Sequence, residues 1–112
     1  MEIADIRRHQ RIRVTEDLEI RIACTESGLE VFGAATDISL GGMFVRSGAS
    51  VSPGNVLTLA TTCPFLSIDS LCAVRFVMEN GMGVEFVSLT RPNEQKLKWL
   101  LYRLRMQSPR TW

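Results

Sequence analysis

The sequence predicts a mainly β fold, a six-stranded antiparallel β-barrel with a C-terminal α-helix. Short apolar or alternating segments separated by turn residues occupy most of the chain, and the apolar period changes to that of a helix only near the end. The length of 112 residues suits one domain with one core. We therefore expect a single unit over residues 11–112 and, before it, a mobile N-terminal arm over residues 1–10.

The first two strands follow from alternation and from one turn signal. Apolar residues alternate imperfectly from Ile12 to Ile22, which is typical of a half-buried strand, and the strand is expected to bend near Glu16-Asp17. Ser27-Gly28 predicts a turn, after which Leu29–Ile38 reads as the second strand.

Glycine and proline residues separate the four strands that follow. These strands are predicted at Met43–Val45, Val56–Thr62, Ser70–Met78 and Val84–Val87. Asn80-Gly81 is a dipeptide typical of tight hairpin turns, so it predicts that the last two strands are joined as a hairpin.

The helix is predicted over about residues 90–106. Thr90 is suited to the N-cap, and Pro92 falls in the first turn, where its missing N–H costs nothing. The apolar positions that recur at helical spacing, and that we expect to cover the barrel, are Leu97, Leu100, Leu101 and Leu104.

Charge is distributed unevenly along the chain. Residues 1–14 carry four arginines and two acids, residues 15–90 three arginines and nine acids, and residues 91–112 six bases and one acid. Basic character is therefore confined to the two ends, and eleven of the thirteen bases are arginine, the side chain suited to forked contacts with phosphates.

The residues offer little for catalysis or metal binding. His9 is the one histidine, which excludes a two-histidine metal site, and Ser39 lacks the preceding glycine of a nucleophile elbow. The three cysteines form no Cys-x-x-Cys pair, so we expect reduced, buried thiols. We predict that the protein is not an enzyme and requires no cofactor.

The expected location is the cytoplasm. The first residues include acids and no long apolar stretch, unlike a secretory signal. No run of about 18 apolar residues occurs, so no membrane span is expected.

A first candidate binding cluster lies in the basic segment before the first strand. Arg7 and Arg11 form an Arg-x-x-x-Arg pair, with Arg8 beside them. Guanidinium groups on a lead-in segment can close around a phosphate and can stack on a base. An arm that serves only solubility is the alternative for this cluster alone.

A second candidate cluster is the segment from Asp37 to Gly42. Asp37 can accept hydrogen bonds from guanine, Ser39 can donate or accept beside it, and Gly41 and Gly42 permit a tight turn close to a ligand. The alternative is a turn whose side chains satisfy only their own backbone.

Taken together, these features resemble the PilZ domain, a bacterial receptor module for cyclic di-GMP. The resemblance rests on Arg7 and Arg11, on Asp37-x-Ser39-x-x-Gly42, and on the strand segment Gly81-Met82-Gly83-Val84-Glu85-Phe86. It covers nearly the whole chain, from about Arg7 to Met106.

The resemblance implies a barrel that holds the dinucleotide on its outer surface. It implies that Arg7 and Arg11 contact phosphates and guanine, and that Asp37, Ser39 and Gly42 bind the base. Arg8 and Arg46 are expected to assist, and one dinucleotide per domain is expected.

The expected function is that of a receptor or adaptor that signals to an unidentified effector protein. We expect residues 1–10 to be mobile without ligand and to become ordered on binding. Two alternatives remain open: an adaptor of the same fold that does not bind ligand, and a small barrel that binds single-stranded nucleic acid. The acidic middle and only eight aromatic residues disfavour nucleic acid.

Overall fold

The computed structural model describes residues 11–14, 19–24, 29–48, 50–64 and 66–107. Seven strands and one helix lie in these ranges. They are β1 (Ile12–Arg13), β2 (Glu19–Cys24), β3 (Leu29–Ile38), β4 (Gly42–Arg46), β5 (Val56–Cys63), β6 (Leu66–Met78), β7 (Gly81–Ser88) and α1 (Arg91–Gln107).

The strands form one antiparallel, curled sheet. Its order is β1-β3-β2-β5-β6-β7-β4, and β4 also pairs with β3. The strands β2, β4, β5, β6 and β7 thus each pair with two neighbours and β3 pairs with three, which is possible because right-handed twist and β-bulges curl the sheet. The predicted mainly β architecture with antiparallel strands and a C-terminal helix is confirmed. The described strands number seven, however, and they form a curled half-barrel rather than the predicted six-stranded barrel.

The segment that was predicted as the first strand contains two separate strands, β1 and β2. β1 pairs with the end of β3, where Ile12 lies opposite Ile38, whereas β2 pairs with the beginning of β3, where Glu19 lies opposite Ala34. The alternation was read correctly as extended chain at both ends of this segment, and residues 15–18, where a bend was predicted, lie outside the described ranges.

The later strands lie where turn residues predict them, with longer bounds. β3 has the predicted range, whereas β6 begins at Leu66 rather than at Ser70. The β6–β7 hairpin is present, but Met78 pairs with Gly81, so Glu79 and Asn80 form its loop. Gly81 lies in β7 and not in the turn itself. A Cβ at this position would lie 2.3 Å from the carbonyl oxygen of Val45, so glycine permits the close approach of β4 and β7.

One hydrophobic core is shared by the sheet and the helix. Its fully buried side chains include residues of β3, β4, β5, β6, β7 and α1, namely Ile38, Met43, Val45, Leu57, Leu59, Ile68, Met82, Leu97 and Leu104. The four predicted helix leucines are all buried, so their role in covering the sheet is confirmed.

Polar contacts fix where the helix lies. The Asn93 backbone N–H donates to the Thr90 hydroxyl at 3.3 Å, which confirms Thr90 as the N-cap. The Asn93 side-chain oxygen accepts from the Asp69 backbone N–H at 3.0 Å, and the Lys96 ammonium donates to the Ser67 carbonyl at 3.2 Å. These bonds hold the first turns of α1 against β6.

The core contains one cysteine. Cys72 is fully buried, and burial raises the pKa of its thiol to about 11, opposed by a weaker contact with the Ser70 hydroxyl. Cys63 is half-buried, and neither Cys63 nor Cys72 forms a disulfide, as expected for reduced thiols. The side chain of Cys24 lies outside the described part of the chain.

Candidate functional site

The two predicted clusters meet through Arg11 and Asp37. Arg11 directly precedes β1, and β1 pairs with β3 so that Arg13 lies opposite Asp37. The Arg11 Nη1 donates to the Asp37 Oδ1, and the two side chains are 55% and 32% exposed. Both groups therefore form an ion pair at the surface, where an external ligand can reach them.

A β-bulge in β3 precedes the acidic residue of this pair. Ala35 lies opposite Val45 and Asp37 lies opposite Phe44, so Thr36 is an extra residue in β3. The carbonyl of Thr36 accepts from the Val14 backbone N–H at 2.9 Å, which extends the contact between β1 and β3. Since bulges redirect the side chains beside them, this irregularity helps aim Asp37 outward, toward Arg11.

Ser39 organises the turn between β3 and β4. Its hydroxyl accepts from the backbone N–H groups of Gly41 and Gly42, at 3.1 and 3.3 Å, and donates to the Gly42 carbonyl at 3.3 Å. The side chain is buried at 5% exposure. The Ser39 hydroxyl thus bonds the backbone of its own turn, whereas the Asp37 carboxylate accepts from Arg11.

Gly42 is required by the close approach of β4 to β7. A Cβ on Gly42 would lie 2.1 Å from the Val84 carbonyl oxygen, closer than real Cβ contacts allow. The neighbouring Gly41 carbonyl accepts from the Phe86 backbone N–H at 2.9 Å. The glycines of the Asp37–Gly42 segment thus attach its turn to β7.

An open surface cleft of about 240 Å³ lies beside Arg11 and the turn between β3 and β4. Its lining residues come from the β3–β4 turn, from the segment before β1, and from β6 and β7: Arg11, Ser39, Gly41, Gly42, Arg75, Phe76, Gly83, Val84 and Glu85. The volume is below the roughly 300–1,000 Å³ of pockets that enclose a drug-sized ligand, so the cleft can hold part of a larger molecule.

One wall of the cleft was not predicted from the sequence. Arg75 donates to Glu85 in an exposed ion pair, and Phe76 lies beside it. The sequence did carry a partial signal, because the Asn80-Gly81 turn sets β6 against β7 and so brings residues 73–76 near residues 83–85. The bulge that exposes Phe76 carries no such signal.

Of the remaining candidate residues, the structure describes only Arg46. Arg7, Arg8 and His9 fall outside the described residues. Arg46 is exposed on β4, opposite Ala34 and Gly81, and does not line the cleft.

The cleft suits a polar, anionic ligand with planar groups. Its lining includes two guanidiniums, those of Arg11 and Arg75, each paired with a carboxylate, together with Gly42 and Gly83. Guanidiniums bind phosphates through paired donors, and carboxylates accept from N–H groups of a base. Within the described ranges, no group of three His, Cys, Asp or Glu side chains could hold a metal ion. In the same ranges no helix is long and apolar enough to cross a bilayer.

Comparison with known proteins gives one family match. A sequence model of the PilZ domain matches residues 5–103. No curated protein sequence matches the chain.

Several solved structures share the fold. The inhibitor of motility MotI/DgrA of Bacillus subtilis superposes with a TM-score of 0.72 and 23% identity, over 90% of this chain and 53% of that chain. YcgR of Escherichia coli, in complex with c-di-GMP (cyclic di-GMP), has a TM-score of 0.77 and 16% identity, over 90% of this chain and 46% of that one.

A third similar structure is an isolated domain. It is the PilZ domain of Escherichia coli YcgR with c-di-GMP, with a TM-score of 0.76 and 14% identity, over 90% of this chain and 92% of that one. The chain thus spans about half the length of the first two proteins and nearly all of this domain. At these identities the likeness concerns the fold.

Proposed function

Since the chain belongs to the PilZ domain family, we propose that it is a receptor for cyclic di-GMP. Two of the similar structures, YcgR and its PilZ domain, contain this dinucleotide. The contact between Arg11 and Asp37 carries the proposal for this chain, because it joins the two predicted clusters and Arg11 lines the cleft.

The chemistry of the ligand fits that contact. Cyclic di-GMP carries two phosphate charges and two guanines. Arg11 can bind a phosphate with a fork of donors, and Asp37 can accept from the adjacent N1–H and N2–H₂ groups of guanine. Ser39, Gly41 and Gly42 supply the turn that borders the base.

Ligand binding requires that Arg11 exchange one anionic partner for another. An exposed ion pair contributes no more than about 1 kcal/mol, whereas a hydrogen bond to a charged group contributes about 1.5–3 kcal/mol. The pair between Arg11 and Asp37 is exposed, so little opposes its opening. Free Asp37 is then available to the guanine.

We assign the remaining phosphate contacts to Arg7 and Arg8, which lie outside the described residues. In this proposal one dinucleotide binds per domain, residues 1–10 become protected when the arginines engage it, and the changed surface is recognised by an effector protein in the cytoplasm. The chain acts as a binding module and not as an enzyme. Amide hydrogen exchange tests the change: equal protection of residues 1–10 with and without ligand contradicts it.

Isothermal titration calorimetry with cyclic di-GMP tests the binding itself. GTP and linear diguanylate serve as controls, because they carry the same base without the closed ring. We expect saturable heat with the cyclic dinucleotide and weaker binding of both controls. Absence of heat with cyclic di-GMP contradicts the receptor function and favours the ligand-free adaptor. Salt-sensitive binding of single-stranded oligonucleotides, with none of the dinucleotide, favours the nucleic-acid alternative instead.

A further inference from the structure

The second wall of the cleft exists because of a β-bulge in β6. Val74 lies opposite Val84 and Phe76 lies opposite Gly83, so Arg75 is the extra residue. In a regular strand Phe76 would point inward like Val74, since side chains alternate. Instead Val74 is buried, while both Arg75 and Phe76 are exposed beside the cleft.

The ring of Phe76 packs against Gly83, and both residues line the cleft. It lies 2.2 Å from the position that a Cβ on Gly83 would occupy, so the ring packs directly on the glycine backbone. Its second neighbour is Phe44, at a centroid distance of 6.1 Å. Phe76 is 42% exposed, which leaves part of its surface available to a planar group.

The charged groups of this wall repeat the chemistry of the pair between Arg11 and Asp37. Arg75 is paired with Glu85 as Arg11 is paired with Asp37, and all four side chains are at least partly exposed. Cyclic di-GMP consists of two identical halves, each with one phosphate and one guanine. Two guanidinium–carboxylate pairs beside one cleft therefore match a ligand that presents the same groups twice.

We propose that Arg75, Glu85 and Phe76 bind the second half of the dinucleotide, with Arg75 on a phosphate, Glu85 on the guanine N1–H and N2–H₂ edge, and Phe76 against the base. This inference rests on the proposed function. It adds a second base-reading carboxylate to the one that the resemblance implied.

Glu85 makes the proposal specific. Its carboxylate offers two acceptors to the two adjacent donors of guanine, whereas adenine carries an acceptor at N1 and no amino group at C2. An unpaired acceptor opposite adenine disfavours that base. The receptor should then prefer cyclic di-GMP over the hybrid cyclic GMP–AMP, which can satisfy only one of the two carboxylates.

A third exposed ion pair, away from the cleft, provides the matched control. Arg21 donates to Glu30 at 2.7 Å between β2 and β3, and these side chains are 59% and 50% exposed, close to the 62% and 48% of Arg75 and Glu85. Neither Arg21 nor Glu30 lines the cleft. Loss of the pair between Arg21 and Glu30 should change the free energy of unfolding about as much as loss of the pair between Arg75 and Glu85. It should leave the affinity for the ligand unchanged.

The experiment is calorimetric titration of the full chain and four variants with cyclic di-GMP and with cyclic GMP–AMP. We expect Arg75→Ala to weaken binding of both ligands about tenfold or more. Glu85→Gln should weaken only cyclic di-GMP and remove the parent protein's preference for it. Arg21→Ala and Glu30→Gln should bind as the parent does. Thermal unfolding of each variant checks that the fold is retained.

The outcomes separate this inference from the proposed function. A parent protein that binds neither dinucleotide overturns both. A parent protein that binds cyclic di-GMP, with Arg75→Ala and Glu85→Gln binding equally well, overturns this inference and leaves the receptor function intact. If Glu85→Gln weakened the affinity for both ligands equally, this inference would also be overturned, because the carboxylate would then not distinguish guanine from adenine.

Discussion

The Arg11 guanidinium donates to the Asp37 carboxylate across 26 positions of sequence. The bond is possible because the two-residue strand β1 pairs with the end of β3, with Arg13 opposite Asp37, and so brings the neighbouring Arg11 within reach of that carboxylate. An arginine and a carboxylate that contact each other at the surface are also placed to contact adjacent groups of one ligand. The predictions for binding depend on this relationship.

Arg11→Ala should weaken cyclic di-GMP binding about 10- to 100-fold, since one hydrogen bond between charged groups contributes about 1.5–3 kcal/mol. Arg11→Lys should recover little, because lysine keeps the charge but lacks the planar fork of donors. Calorimetric dissociation constants measure both effects. Arg21→Ala is the control. If Arg11→Ala bound the dinucleotide as tightly as the parent protein, Arg11 would not contact the ligand.

Ser39→Ala should reduce stability as well as binding. The hydroxyl is buried and links two backbone N–H groups and one carbonyl of the β3–β4 turn, so its removal leaves them without that partner. We expect the free energy of unfolding to fall by about 1–3 kcal/mol in urea titrations. The exposed Ser50→Ala should change it little, and an unchanged unfolding midpoint in Ser39→Ala would contradict the assigned role in the turn.

The sequence predicted local features of the fold better than long-range ones. β3 was predicted with its observed bounds, because the turn signal Ser27-Gly28 precedes it and the glycine pair Gly41-Gly42 follows it. The start of β6 was placed at Ser70 instead of Leu66, because a proline two residues before the strand was taken to interrupt a longer stretch. The four helix leucines were identified because their spacing depends only on local sequence.

The same distinction holds for the candidate site. Asp37, Ser39, Gly41 and Gly42 lie within one turn and could be identified together from their spacing. Arg75, Phe76 and Glu85 could not, because they meet only through the register of β6 on β7 and through a bulge that shifts it. A bulge depends on how two distant strands pack, which alternation within one strand does not report.

Leu104→Ala should destabilise the protein strongly through loss of core packing. The side chain is fully buried between the helix and the sheet, and truncation of such leucines costs about 2–5 kcal/mol. Met106→Ala is the control on the same helix, because Met106 is 60% exposed. Urea unfolding followed by circular dichroism measures both. Similar losses in the two variants would mean that α1 does not cover the core.

Cys72 should make stability fall at alkaline pH. Burial raises the pKa of its thiol from 9.0 to about 11, so between these values the folded protein retains a proton that the unfolded chain has lost. The free energy of unfolding must then decrease as pH rises through this window. Cys72→Ala should show a smaller decrease between about pH 8 and about pH 10.5 in urea titrations. Identical pH dependence in both proteins would contradict burial of the thiol.

Gly42→Ala should disrupt the approach of β4 to β7, on which the cleft depends. The added Cβ would lie 2.1 Å from the Val84 carbonyl oxygen and 3.1 Å from the Glu85 Cα. These are backbone atoms of β7, which pairs with β4 and cannot move away independently. We expect a loss of about 1–3 kcal/mol in free energy of unfolding, together with weaker dinucleotide binding, since Gly42 and Val84 both line the cleft. Gly48→Ala is the control, because a Cβ there meets nothing within 4 Å. If Gly42→Ala were as stable as Gly48→Ala, the glycine of the Asp37–Gly42 segment would not be needed for packing, and any effect on binding would have to come from direct contact with the ligand.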